Sequence, residues 1–218
     1  VNLVKKDILI LQKDYIDSII FHSNPAWFGV HQAAYVLYSN PGFQRRKKLV
    51  GPNTRVIRGH APDYDNWLEK STTERNEEAV AVFIDQNFAF SLDSVESKMK
   101  TVSSEIYFGQ LKRLFDEVER KWGLQVVIAA HPSVDVARYE AVFVGHRVVQ
   151  GDTVGQIARS ALVLCHSSTA ISYAVLGRKP LLFITSNDLL GLGFHRFLVS
   201  SMTEKFAVQP VLVDRAKI

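Results

Sequence analysis

Hydrophobic and polar positions fall into two regimes along the chain. From residue 80 onward, short apolar runs at 80–84, 126–130, 161–165 and 181–184 read as buried strands, each ended by polar residues. Between the first two, Ser103 or Ser104 starts a helix with Tyr107, Leu111, Leu114, Phe115, Val118 and Trp122 on one face, stopped by Gly123. A short helical piece follows residue 130. Then come a strand near 141–144, another at 147–149 that continues it, and a helix from Gly151-Asp152 to about Ser160. A further helix ends at Gly177, and 208–213 reads as a last strand. Strands alternating with helices predict an α/β fold: a Rossmann-like parallel sheet with helices on both faces, spanning residues 78–218.

The leading part is less regular. Residues 7–11 read as a strand, and 12–40 scatter Phe21, Trp27, Phe28, Tyr35 and Tyr38 without a clear period. Asn40-Pro41-Gly42 and Gly51-Pro52-Asn53 are breaks, followed by a strand at 54–58. A helix is expected over 62–70, with Pro62 at its first position, Asp63 and Asp65 at its positive end and Lys70 at the other. The polar stretch 71–79 is the expected domain boundary. Residues 1–70 are therefore expected to be an incomplete N-terminal α/β portion with a linker helix, part of a second domain whose beginning is missing. The first residue, Val1, fits a fragment, a processed chain or a non-standard start codon.

Composition narrows the classes. A 47% hydrophobic, 22% charged chain has the make-up of a globular protein with a real core. No apolar run approaches the ~20 residues of a membrane span, and the start lacks a secretory pattern. The single cysteine, Cys165, forbids an internal disulfide and fits a reducing compartment, so a cytoplasmic location is expected. The net charge of +4 is too mild to imply a nucleic-acid partner, and no aromatic residues interleave with basic ones as base-stacking surfaces require. Arg45-Arg46-Lys47-Lys48 is either a solvated loop or a peripheral contact with an anionic inner-membrane surface or lipid-phosphate acceptor.

In an open parallel sheet, ligands bind beyond the carboxyl ends of the strands. Four polar clusters fall at such ends: Asp85-Gln86-Asn87, His131-Pro132-Ser133, His166-Ser167-Ser168-Thr169 and Thr185-Ser186-Asn187. Together they describe a pocket rim. The serine turn is either a plain helix cap or a phosphate cradle of hydroxyls and unpaired N–H groups. His131 is either a satisfied strand-end histidine or a donor to a phosphate and an acid for a leaving group. His166 faces the same alternatives. Asp85 could act as a base or contact a ribose, with Gln86 lining the pocket. His60, Asp63 and Asp65 read as a helix start. There is no HxxxH, CxxC, GxGxxG or GxxxxGK[ST], so neither a metal nor a resident cofactor is expected.

The stretches VVIAAHPS and VFVGHRVVQGDTVGQIARSALVLCHSSTAISYAVLGRKPLLFIT resemble the C-terminal, nucleotide-binding half of bacterial surface-polysaccharide glycosyltransferases of GT-B fold. The closest flavour is the sialyltransferase and Kdo-transferase-like group. GHAPDYDNWLEK with AVFIDQNFAF resembles the segment entering this half, so the resemblance covers about residues 55 to 190. It implies that His131-Pro132 and Ser167-Ser168 contact the nucleotide phosphate. Thr169, His166, Gln86 and Gly145 are counted with them as substrate-binding, and His131 and Asp85 as catalytic. The implied activity is metal-independent transfer from a nucleotide sugar, CMP-activated by preference, to a glycan or lipid-linked acceptor in capsule or lipopolysaccharide synthesis. The family's base sits in an acidic motif of the N-terminal domain, which has no counterpart here. The alternatives are a sugar-nucleotide epimerase of the same fold and a non-catalytic nucleotide-binding domain.

Overall fold

A computed structural model describes residues 25–39, 50–71, 77–89 and 102–214. The expected strand at 7–11, the Asn40-Pro41-Gly42 break and the Arg45–Lys48 cluster lie outside the described residues, as does most of the polar 71–79 stretch. Contacts divide the chain into two units, Val1–Ala61 and Pro62–Ile218.

In the first unit, strands β1 (Tyr35–Tyr38) and β2 (Arg55–Arg58) pair in parallel. Thr54, just before β2, is buried; its hydroxyl accepts from Gly51 N at 2.9 Å and donates to Ala33 O at 2.7 Å.

The second unit opens with helix α1 (Pro62–Ser71), grouped on sequence with the leading segment. It continues through β3 (Val80–Ile84), α2 (Ser104–Trp122), β4 (Gln125–Ala130), α3 (Val136–Val142), β5 (Arg147–Gln150), α4 (Thr153–Arg159) and β6 (Leu162–Cys165). Helix α5 (Ile171–Leu176), β7 (Leu181–Thr185), α6 (Asn187–Leu190), α7 (Gly193–Phe206) and β8 (Val211–Leu212) complete it. The six strands form one parallel sheet in the order β5-β4-β3-β6-β7-β8. The fold is α/β and Rossmann-like, as expected.

Alternation along each strand explains the two layers. Ala81 and Phe83 of β3 face a core built with Tyr107, Leu111, Phe115 of α2 and Tyr139 and Phe143 around α3. Val82 and Ile84 face the other, with Ile157 of α4, Ala174 of α5 and Trp67 of α1. Both faces are covered, which is why β3 is apolar at every position rather than at every second one.

Two expectations change. The apolar run 141–144 is not a strand: Val136–Val142 is helical, with Asp135 capping it by accepting from Ala137 N at 3.0 Å. Tyr139 and Phe143 are i and i+4 on that helix and pack against Phe108 of α2, so a helical period won over a short β-like run. Trp122, placed on the buried face of α2, is 40% exposed in the last turn, whereas Gly123 ends the helix in a left-handed conformation as read.

Candidate functional site

From β3 the chain builds outward through β4 to β5, then returns to add β6 on the other side of β3. Loops leaving β3 and β6 diverge there, and an open sheet places its ligand crevice at this switch point. A cleft of about 610 Å³ lies at the carboxyl edge, lined by Asp85, Gln86, His131, Pro132, Ser167, Ser168 and Thr169, with Lys70 from α1 and Tyr173 from α5. Most of the residues singled out on sequence are thus brought together.

Gln86 ties the two sides. Its Oε1 accepts from Ser167 N at 2.7 Å and its Nε2 lies 3.5 Å from the Ser167 hydroxyl. Ser167 is consequently held as part of the cleft wall. Ser168 Oγ accepts from Ala170 N at 3.2 Å, which is the local capping role, and its hydroxyl hydrogen remains to donate. Thr169 is exposed. Helix α5 has six residues, so hydroxyls rather than a helix dipole supply this side of the cleft.

Asp85 is buried and both of its oxygens are engaged. Oδ2 accepts from His131 N at 3.1 Å; Oδ1 accepts from Asn87 N at 3.1 Å and from the Tyr139 hydroxyl at 3.2 Å. Burial pushes its carboxyl above the usual range, while these donors pull the other way. A carboxylate so enclosed anchors the strand end; the geometry does not aim it at a ligand. His131 is exposed, and its turn is pinned by Gln150 Nε2, which donates to the carbonyls of His131, Pro132 and Val134 at 3.0, 3.2 and 3.1 Å.

Two expected site residues lie elsewhere. His166 is fully buried: Nδ1 donates to Ile184 O at 2.8 Å, and Nε2 accepts from the Tyr107 hydroxyl at 3.0 Å. Burial, with His195 beside it, lowers its pKa to about 3, so the ring is a neutral core group. Gly145 precedes β5 and lines a separate cleft at the amino edge with Glu78, Glu119 and Arg147. In a parallel sheet a loop that enters a strand lies at the opposite edge from one that leaves it. The Thr185-Ser186-Asn187 cluster sits at the carboxyl edge but caps α6, Ser186 Oγ accepting from Leu189 N at 3.1 Å, and Asn187 pairs with Asp214.

Asp63-Tyr64-Asp65 has D-x-D spacing, yet Asp63 accepts from the Ser172 hydroxyl at 2.6 Å and the Tyr173 hydroxyl at 3.4 Å, fastening α1 to α5. That attachment delivers Lys70 to the cleft, where it stands 3.8 Å from Asp152. Lys70 reads on sequence only as a helix-end charge, and Tyr173 carries no signal of its own; neither lies next to a strand end, where the polar rim is legible. Among the described residues, no group of three or more His, Cys, Asp and Glu side chains is placed to hold a metal ion, and no helix is long and apolar enough to cross a membrane. Comparison of the sequence with protein-family models and with curated proteins finds no match.

Proposed function

We propose that this domain binds a nucleotide-activated sugar in the switch-point cleft and is the donor-binding half of a metal-independent glycosyltransferase of bacterial surface-polysaccharide synthesis. The observation that carries the reading is a donor-rich cleft at the carboxyl edge in which Asp85, the one carboxylate among the described lining residues, is already satisfied. Donors without a free carboxylate suit an anion. β4 and β6 flank β3, so the His131 and Ser167-Ser168 turns stand about two strand spacings, ~9.6 Å, apart, a gap that suits a phosphate held between them.

In the reaction, the bond from the anomeric carbon to the phosphate oxygen breaks and negative charge grows on the departing nucleotide phosphate. His131, Ser168 and Thr169 act where that charge develops, and donors held in place beforehand cost no reorganisation then. CMP donors are preferred, since their single phosphate is matched by one flanking pair of motifs. Deprotonating the acceptor requires a base from outside the cleft, because Asp85 is engaged.

Titration calorimetry with CMP and UMP tests the proposal. Saturable binding unaffected by a chelator is expected; no binding of either nucleotide, or binding abolished by the chelator, would overturn it. Asp85's engagement also favours the second reading, a nucleotide-binding domain without turnover. Saturable CMP binding with no hydrolysis of CMP-sugar would select that reading.

A further inference from the structure

The strand-end loops of β3 and β4 hold a short relay that reaches His131 from behind. Asn87 sits at φ 54, in the left-handed region that asparagine tolerates better than most residues. Its Nδ2 donates to Ser133 Oγ at 3.1 Å, and Ser133 Oγ lies 2.7 Å from His131 Nδ1. Ser133 N also donates to the same Nδ1, at 3.3 Å.

That backbone N–H favours one arrangement of the relay's protons. A backbone amide can only donate, so Nδ1 must accept and carries no hydrogen. The Ser133 hydroxyl must then donate to Nδ1 as well, leaving its lone pairs to accept from Asn87. Asn87 then presents Nδ2 to Ser133, as the 3.1 Å contact has it, and its Oδ1 is buried. A neutral imidazole has one N–H, so the hydrogen sits on Nε2. His131 lines the cleft, and no partner of Nε2 is present among the described residues.

We propose that Ser133 and Asn87 are positioning residues that hold His131 as the Nε2–H tautomer, so that it meets a ligand as a hydrogen-bond donor and not as a general base. The role toward a phosphate rests on the function proposed above; the tautomer does not. Orientation of one ring nitrogen by a bond to the other is the usual means of selecting a histidine's role. The strained Asn87 backbone fits the same purpose, since positive φ turns its amide toward Ser133, and such strain is retained where the surroundings over-determine it.

Long-range proton–nitrogen NMR of the full chain with labelled histidine, recorded at pH 8, reads the tautomer directly. The His131 signals are assigned by their loss in His131→Gln. The wild type should show a protonated Nε2 and an unprotonated Nδ1. Ser133→Ala, a change at an exposed position, should move both nitrogen shifts toward the average of the two tautomers. Ser133→Thr, which keeps the hydroxyl, should restore them. The same proteins titrated with CMP should show a Kd about 3- to 10-fold weaker for Ser133→Ala, the loss expected for one neutral hydrogen bond, with Ser133→Thr near wild type. A protonated Nδ1 in the wild type, or Ser133→Ala shifts identical to wild type, would overturn the relay. Asn87→Gly, which keeps the positive φ, should give a smaller change of the same sign, and wild-type shifts in it would remove Asn87. An Nε2–H tautomer that CMP leaves unperturbed would sustain the relay and overturn the nucleotide reading.

Discussion

Replacing Gln86 by alanine tests the joint that closes the cleft. The side chain spans the gap between the ends of β3 and β6, and its main contact is the 2.7 Å bond from Ser167 N. The second contact, 3.5 Å from the Ser167 hydroxyl, is at the limit of a hydrogen bond and contributes little. Gln86 is half-buried, so truncation removes little apolar burial. What remains is one net hydrogen bond, about 1 kcal/mol, and the cost of leaving a buried N–H unpaired, about 1–3 kcal/mol. Ser167 borders an open cleft, and water can enter to take the vacated place. Water thereby relieves most of the second cost, and the expected loss is ~1–2 kcal/mol. Urea unfolding should show a lower midpoint at unchanged slope, since no change in compactness is involved. With the serine turn released, CMP affinity should fall about tenfold, equivalent to ~1.4 kcal/mol. Gln86→Glu should keep most of the stability, because a carboxylate still accepts from Ser167 N, yet weaken CMP further through its charge. A Gln86→Ala protein within ~0.5 kcal/mol of wild type, the range of ordinary surface changes, and with unaltered CMP binding would refute the argument.

Three further outcomes are expected. Ser168→Ala and His131→Ala should each weaken CMP binding by about 1.5–3 kcal/mol, and together by less than the sum, because both act on one phosphate; strictly additive losses in calorimetry would return the serine turn to plain capping. Stability should fall as pH drops from about 6.5 toward about 3: an unfolded histidine takes up its proton near 6.5, whereas folded His166 stays neutral to about 3, so the unfolded state binds more protons across that window. The slope from His166 alone approaches ~1.4 kcal/mol per pH unit. His195, pushed by burial to about 4, steepens it, and the raised carboxyl of Asp85 offsets part of it at the acid end. A urea midpoint flat between pH 7 and pH 4.5 would contradict this. Gly177→Ala should destabilise by ~1–3 kcal/mol, since the added Cβ would lie 2.6 Å from Trp67 Cη2 and must displace the indole or α1; a melting temperature equal to wild type would show that the contact yields freely.

Much of the sheet was legible because its strands carry their own signal. An all-apolar run such as Val80–Ile84, ended by Asp85, announces a strand covered on both faces, and the polar residues after it announce the carboxyl edge. The helix from Ser104 to Trp122 was equally plain, its period set by Tyr107, Leu111, Leu114 and Val118, its end by Gly123. Residues 141–144 misled because a short apolar run satisfies both periods, and only packing of Phe143 against Phe108 and Phe115 decides between them. Gly145 precedes β5, and a turn that feeds a strand of a parallel sheet must lie at the amino edge, away from the cleft.

What no local pattern carried is which strands are neighbours. The alternation along the chain is compatible with several strand orders, and the order found sets β3 between β4 and β6, so that Asp85 meets His131 and Gln86 meets Ser167 across 81 positions of sequence. The same holds for the roles inside HSST. Phe83, Phe88 and Tyr107 surround His166 in the core, while its neighbour Ser167 is turned to the cleft, a division made by two-fold alternation at the end of β6. Composition and period choose the elements because they depend on nearest neighbours in the chain. Pairing, register and the partner of each buried polar group depend on surfaces that meet only after collapse, and in this protein those contacts bring the cleft together.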